Sequence, residues 1–136
     1  MRKKGTETKK ILIADDDKFI RNQFEALIAE LGYEPVTVNS AVKALAGIKD
    51  ENIVVVITDV YMEGMKGDEL LARIKEEKEE MPVLVITGDD SIETERFIRE
   101  IGAFAYFVKP LEKEMIKRTI EAAVVFALSK KGGRCG

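Results

Sequence analysis

The chain has 136 residues, 46% of them hydrophobic and 35% charged, with a formal net charge of -3. That length suits one domain able to bury roughly 68% of the surface its unfolded chain exposes, and no apolar run approaches the roughly 18 residues a membrane span needs. With no histidine and a single cysteine, Cys135, the chain lacks imidazole bases and metal ligands, Ser-His or Cys-His nucleophile pairs, intrachain disulfides and cysteine-rich zinc sites.

The opening MRKKGTETKK is basic but leads into a strand pattern, without the apolar segment and small-residue cleavage site of a secretory signal. Residues 1–9 read as a basic extension, and a cytoplasmic location is the default expectation. ILIA at 11–14 then precedes an amphipathic stretch from Lys18 to Leu31, in which Ile20, Phe24, Leu27, Ile28 and Leu31 share one helical face. PVTV precedes Ala41 to Ile48, IVVVI precedes Asp68 to Glu76, PVLVI precedes Ile92 to Ile101, and FAYFV precedes Leu111 to Leu128. Five β/α pairs in alternation predict a parallel sheet covered by helices. Ile53 to Ile57 is apolar at every position, as in a strand buried on both faces.

Gly32 and Gly102 stand where helix C-caps belong, and Ser40 and Ser91 where N-caps belong. The last helix carries a stripe of Met115, Ile116, Ile120, Ala123, Val124 and Ala127. Val125, Phe126 and Leu128 add apolar surface, which fits ordinary packing of a terminal helix first and a partner or dimer surface second. Residues 129–136, SKKGGRCG, read as a flexible tail with Cys135 an incidental thiol. Positive charge gathers at the two ends while the interior is acidic, which argues against a nucleic-acid face.

In an open α/β sheet, ligands bind beyond the carboxyl ends of the strands. The first strand pattern ends in Asp15, Asp16 and Asp17, the third in Thr58 and Asp59, the fourth in Thr87, and the fifth in Lys109 before Pro110. Each has a plain structural explanation alone: an Asp behind a strand caps a helix, and Lys109 sits at a turn. Together, at the ends of four strands of one repeating pattern, they point to a site. Two carboxylates 4 Å apart repel by about 4 kcal/mol at an effective dielectric of 20, so the acids need a cation. Magnesium fits, being hard, oxygen-seeking and held by one or two carboxylates plus phosphate oxygens. A carboxylate can also take a phosphoryl group as an acyl phosphate, with a metal on one side and a lysine on the other to offset repulsion.

ILIADDDKF, VVVITDVYMEGMKGDELL, VLVITGDD and GAFAYFVKPL together resemble, in order and spacing, the receiver domain of two-component response regulators, from about Lys10 to Leu128. The resemblance implies a doubly wound, flavodoxin-like (βα)5 fold with a five-stranded parallel sheet in the order 2-1-3-4-5. It implies Asp59 as phosphoacceptor, and Asp15, Asp16, Asp59 and the Tyr61 backbone carbonyl as the Mg2+ ligands. Thr87 corresponds to the switch hydroxyl, Tyr106 to the aromatic that turns inward on phosphorylation, and Lys109 to the phosphate-pairing lysine, with a cis Lys109-Pro110 bond. Tyr61 and Asp89 occupy positions that tune phosphate lifetime, and Glu63 stands where the family often has proline. The implied donor is a histidine kinase or histidine phosphotransfer protein. The implied output is a protein partner at the face formed by the fourth helix, fifth strand and fifth helix, with no direct nucleic acid or membrane contact and a monomer or weak homodimer as the state. No output domain is visible in the chain.

Three other readings compete. A haloacid-dehalogenase-like phosphatase would use Asp15-x-Asp17 and the pair Asp89, Asp90, but Phe19 stands where that motif wants Thr or Val, Lys109 follows the acid pair, and no cap domain fits. A flavodoxin relative would cradle a phosphate in its first loop, where three aspartates would repel it. An unphosphorylated binding module of receiver fold would not require the full acid, Thr and Lys set.

Overall fold

A computed structural model describes residues 8–62, 65–88 and 90–133, with side chains as far as Lys130. In chain order the elements are β1 (Lys10–Ala14), α1 (Lys18–Glu30), β2 (Glu34–Val38), α2 (Ala41–Gly47), β3 (Ile53–Asp59), α3 (Gly67–Glu77), β4 (Val83–Thr87), α4 (Ile92–Ile101), β5 (Ala105–Val108) and α5 (Lys113–Gly133). All strand pairings are parallel, in the order β2-β1-β3-β4-β5.

The strands divide their side chains between two helical layers, because successive residues of a strand point to opposite faces. Leu12, Ala14, Val56 and Val85 join one cluster with Ala41, Ala44, Leu70, Leu71, Ile74 and Ile98 of α2, α3 and α4. Ile11, Ile13, Val55, Ile57, Leu84 and Ile86 join the other with Phe24 and Ile28 of α1 and Ile116, Ile120, Ala123 and Val124 of α5. All seven residues of β3 are buried. A continuous apolar run is what a central strand covered on both faces requires.

Local signals mark the helix boundaries. Ser40 and Ser91 accept hydrogen bonds from the Lys43 and Thr94 amides, and Asp17 accepts one from the Phe19 amide, giving α1, α2 and α4 side-chain N-caps. Gly32 follows the end of α1 at φ 95° and Gly102 caps α4 at φ 124°, in the positive region that glycine enters without a Cβ clash.

Two expectations need correction. Met115 is 50% exposed and outside the buried stripe: Ile116, Ile120, Ala123, Val124 and Ala127 repeat at i, i+4, i+7, i+8 and i+11, and Met115 lies about 100° around the helix from Ile116. The segment after Leu128, expected as a tail, remains helical through Gly133. Ser129 and Lys130 oppose no helix, and basic residues suit a helix C-terminus. Cys135 and residues 1–7 lie outside the described residues.

Candidate functional site

Register brings the candidate residues to one edge. Ala14 pairs with Thr58, which sets Asp15 beside Asp59, while Asp59 pairs with Ile86 and Thr87 with Val108. Thr87 is thereby one residue beyond that level on β4 and Lys109 two residues beyond it on β5, and the Lys109 amide donates to the Thr87 carbonyl at 2.7 Å. The Lys109-Pro110 bond is cis.

Asp59 is 7% exposed. Its Oδ2 lies 3.1 Å from Lys109 Nζ, and its Oδ1 accepts from the Tyr61 amide at 3.1 Å. Burying a carboxylate calls for an opposite charge and hydrogen bonds, and Asp59 has both. The Tyr61 side chain points outward and is half exposed.

Asp15 is fully buried. Its Oδ1 accepts from the Asp17 amide at 2.9 Å, while Oδ2 is the one buried side-chain oxygen with no hydrogen-bond partner among the described residues. Burial pushes the Asp15 carboxyl up to about 6. The charges of Asp59 and Asp16 add to the rise, and the Asp17 amide and Lys109 oppose it. Asp16 and Asp17 are exposed, and Asp17 is committed to capping α1. An orphaned, desolvated carboxylate oxygen on a residue beside a second carboxylate has the donor chemistry of a hard cation site. Among the described residues no three His, Cys, Asp or Glu side chains already converge on a point.

Thr87 is fully buried at the end of β4, and Tyr106 is 8% exposed within the cluster that holds Val85 and Ile98. Its ring is therefore already inside the fold. Asp89 and Glu63 lie outside the described residues.

Two residues to which the sequence reading gave no role belong to this edge. Arg21 Nη1 donates to the Asp15 carbonyl at 2.8 Å. Gly67, at the start of α3, donates its amide to the Val60 carbonyl and passes so close that a Cβ there would lie 2.5 Å from the Asp59 carbonyl oxygen and 2.6 Å from Val60 Cα. The glycine ahead of DELL was the visible hint of a close approach; nothing local marks Arg21.

Residues 11–121 match the response regulator receiver domain family model. The chain is 33% identical over 114 residues to the transcriptional regulatory protein ZraR of Escherichia coli strain K12, covering 84% of this chain and 26% of the relative. It is 32% identical over 117 residues to the putative response regulator NtrX-like of Rickettsia bellii, covering 82% and 24%. The chain thus spans about a quarter of the length of these relatives. Among solved structures, a response regulator receiver domain protein (CheY-like) from Methanospirillum hungatei JF-1 superposes with a TM-score of 0.84 at 28% identity, covering 91% of this chain and 99% of that one. The receiver domain of NtrX from Brucella abortus superposes with a TM-score of 0.79 at 32% identity, covering 84% and 97%.

Proposed function

The chain belongs to the response regulator receiver domain family of two-component signalling, and on that premise we propose that it is a switch operated by phosphorylation of Asp59. The observation that supports this reading best is the pairing of the nearly buried Asp59 carboxylate with Lys109, beside the unpartnered Oδ2 of Asp15.

In the reaction, an Asp59 carboxylate oxygen attacks the phosphorus of a phosphohistidine on a histidine kinase or phosphotransfer protein. The O–P bond forms, the P–N bond breaks, and its electron pair returns to the donor imidazole. Lys109 offsets the charge of the incoming phosphoryl oxygens. Asp15, Asp16, Asp59 and the Tyr61 carbonyl would hold Mg2+, which when bound neutralises developing charge on the phosphoryl oxygens. The Thr87 hydroxyl donates to a phosphoryl oxygen. Attack of water on phosphorus later releases inorganic phosphate and restores the carboxylate, at a rate that the neighbours Tyr61 and Asp89 tune. The chain acts as a signalling component and not as an enzyme on an external substrate.

Phosphorylation shifts the population of the α4-β5-α5 face, where Ile92, Phe97 and Val108 are exposed, and a protein partner reads the change. Among the described residues no helix is long and apolar enough to cross a membrane; we place the switch in the cytoplasm, as a monomer or weak homodimer. Incubation with acetyl phosphate and Mg2+ followed by intact mass tests the reading. A stoichiometric phosphoryl adduct, absent in Asp59→Asn, is expected. An adduct that persists in Asp59→Asn and disappears in Asp15→Asn overturns it.

A further inference from the structure

We propose that Arg21 is a positioning residue for the cation site, a role that rests on the magnesium reading above. An arginine one turn into a helix that follows three aspartates would by default pair with a carboxylate. Among the described residues its side chain instead donates to a carbonyl, that of Asp15, at 2.8 Å, and no carboxylate pairs with it.

The consequence is mechanical. The Arg21 amide donates to the Asp17 carbonyl at 3.0 Å while the guanidinium holds the Asp15 carbonyl, so one residue grips both ends of the aspartate turn. Inside that grip the Asp17 amide occupies Asp15 Oδ1, and Asp17 Oδ1 is occupied by the Phe19 amide at 2.9 Å. Rotation of Asp15 is restrained at both its carbonyl and one carboxylate oxygen. The remaining oxygen, Oδ2, stays buried and unpartnered. Arg21 thus orients a ligand without occupying it.

Charge alone predicts the opposite sign. Removing a cation from beside an acidic cluster should strengthen binding of another cation, whereas removing a ligand's support weakens metal affinity by roughly 10- to 100-fold. Calorimetric titration with MgCl2 of the full chain and of Arg21→Met, Arg21→Gln and Arg21→Lys separates the two. Arg21→Met is expected to raise the Mg2+ dissociation constant about tenfold or more, and Arg21→Lys, which keeps a donor, to recover most of the loss. Binding by Arg21→Met at or above the unsubstituted affinity overturns the proposal, as does equal loss in the Met and Lys variants. Should Arg21→Met fail to fold by far-UV circular dichroism, Arg21→Gln carries the same sign test, with weaker binding in support and tighter binding against. Absence of Mg2+ binding by the unsubstituted chain overturns the magnesium reading and this proposal with it; normal binding there and in every variant overturns the proposal alone.

Discussion

Lys109 Nζ and Asp59 Oδ2 are 3.1 Å apart, fifty residues distant in sequence and two strands apart in the sheet. The ammonium already lies within hydrogen-bond reach of Asp59, so under the proposed function phosphorylation would exchange one partner of Lys109 for another instead of recruiting a distant group. Lys109→Ala is therefore expected to accept phosphate from acetyl phosphate and Mg2+, by intact mass, yet to lose the amide chemical-shift changes in β5 and α5 that report the switch. Full shift changes in that variant would count against Lys109 as the coupling group.

Asp15 carries a pH dependence. Its carboxyl is raised from the ordinary 3.8 to about 6, mainly by burial. Between these values the folded chain holds a proton that the unfolded chain has lost, so the stability contributed by this group is present at low pH and falls as pH rises through about 6. Asp15→Asn keeps an oxygen for the Asp17 amide and removes the buried charge. It is expected to raise unfolding free energy by about 1–3 kcal/mol at pH 7 in chelator, at about 1.36 kcal/mol per pKa unit. It should also flatten the pH dependence over that window and abolish stabilisation by Mg2+. Urea unfolding at pH 4 and pH 7, with chelator and with MgCl2, checks all three, and no gain in stability at pH 7 would sink the account.

Under the proposed function, a Thr87 variant would separate receiving the phosphoryl group from reporting it. The residue is fully buried, and its carbonyl accepts from the Lys109 amide, which ties the end of β4 to the Lys-Pro turn. Thr87→Ala removes only the hydroxyl and a methyl and leaves that backbone bond. Adduct formation is expected to persist, while amide shifts at Tyr106 to Lys109 no longer respond; Thr87→Ser should restore the response. A response in the alanine variant equal to the parent's would exclude the hydroxyl as the reporter.

The sheet was legible because β3 is apolar throughout and each strand pattern is followed by an amphipathic one, a periodicity that encodes burial directly. The acids, Thr87 and Lys109 were legible for the same reason, since a parallel sheet sends every strand's carboxyl end to one edge. What stayed hidden depends on contacts through space. The grip of Arg21 on Asp15 needs the turn between β1 and α1 to be built first, and Asp15 Oδ2 is an orphan only once Ala14, Asp15 and Asp59 are packed. The helical continuation past Leu128 was missed because SKK is polar, although polarity does not end a helix whose lysines suit its C-terminus.

Gly67 makes another contact through space testable. A Cβ at Gly67 would meet the Asp59 carbonyl oxygen at 2.5 Å, Val60 Cα at 2.6 Å and the Val60 carbonyl oxygen at 3.0 Å. All three are backbone atoms, unable to turn aside as a side chain would, so the clash must move either α3 or the chain carrying Asp59. Gly67→Ala is expected to cost about 1–3 kcal/mol, as overpacking does, and to slow adduct formation at saturating Mg2+ because the Asp59 carboxylate shifts against Lys109. Gly88 provides the control: a Cβ there meets nothing within 4 Å, and Gly88→Ala should stay within about 0.5 kcal/mol of the parent. Urea unfolding measures the first effect and the time course of intact mass the second. If Gly67→Ala is destabilised but phosphorylates at the parent's rate, α3 has moved and the Asp59 loop has not, and the glycine serves the packing of the helix alone.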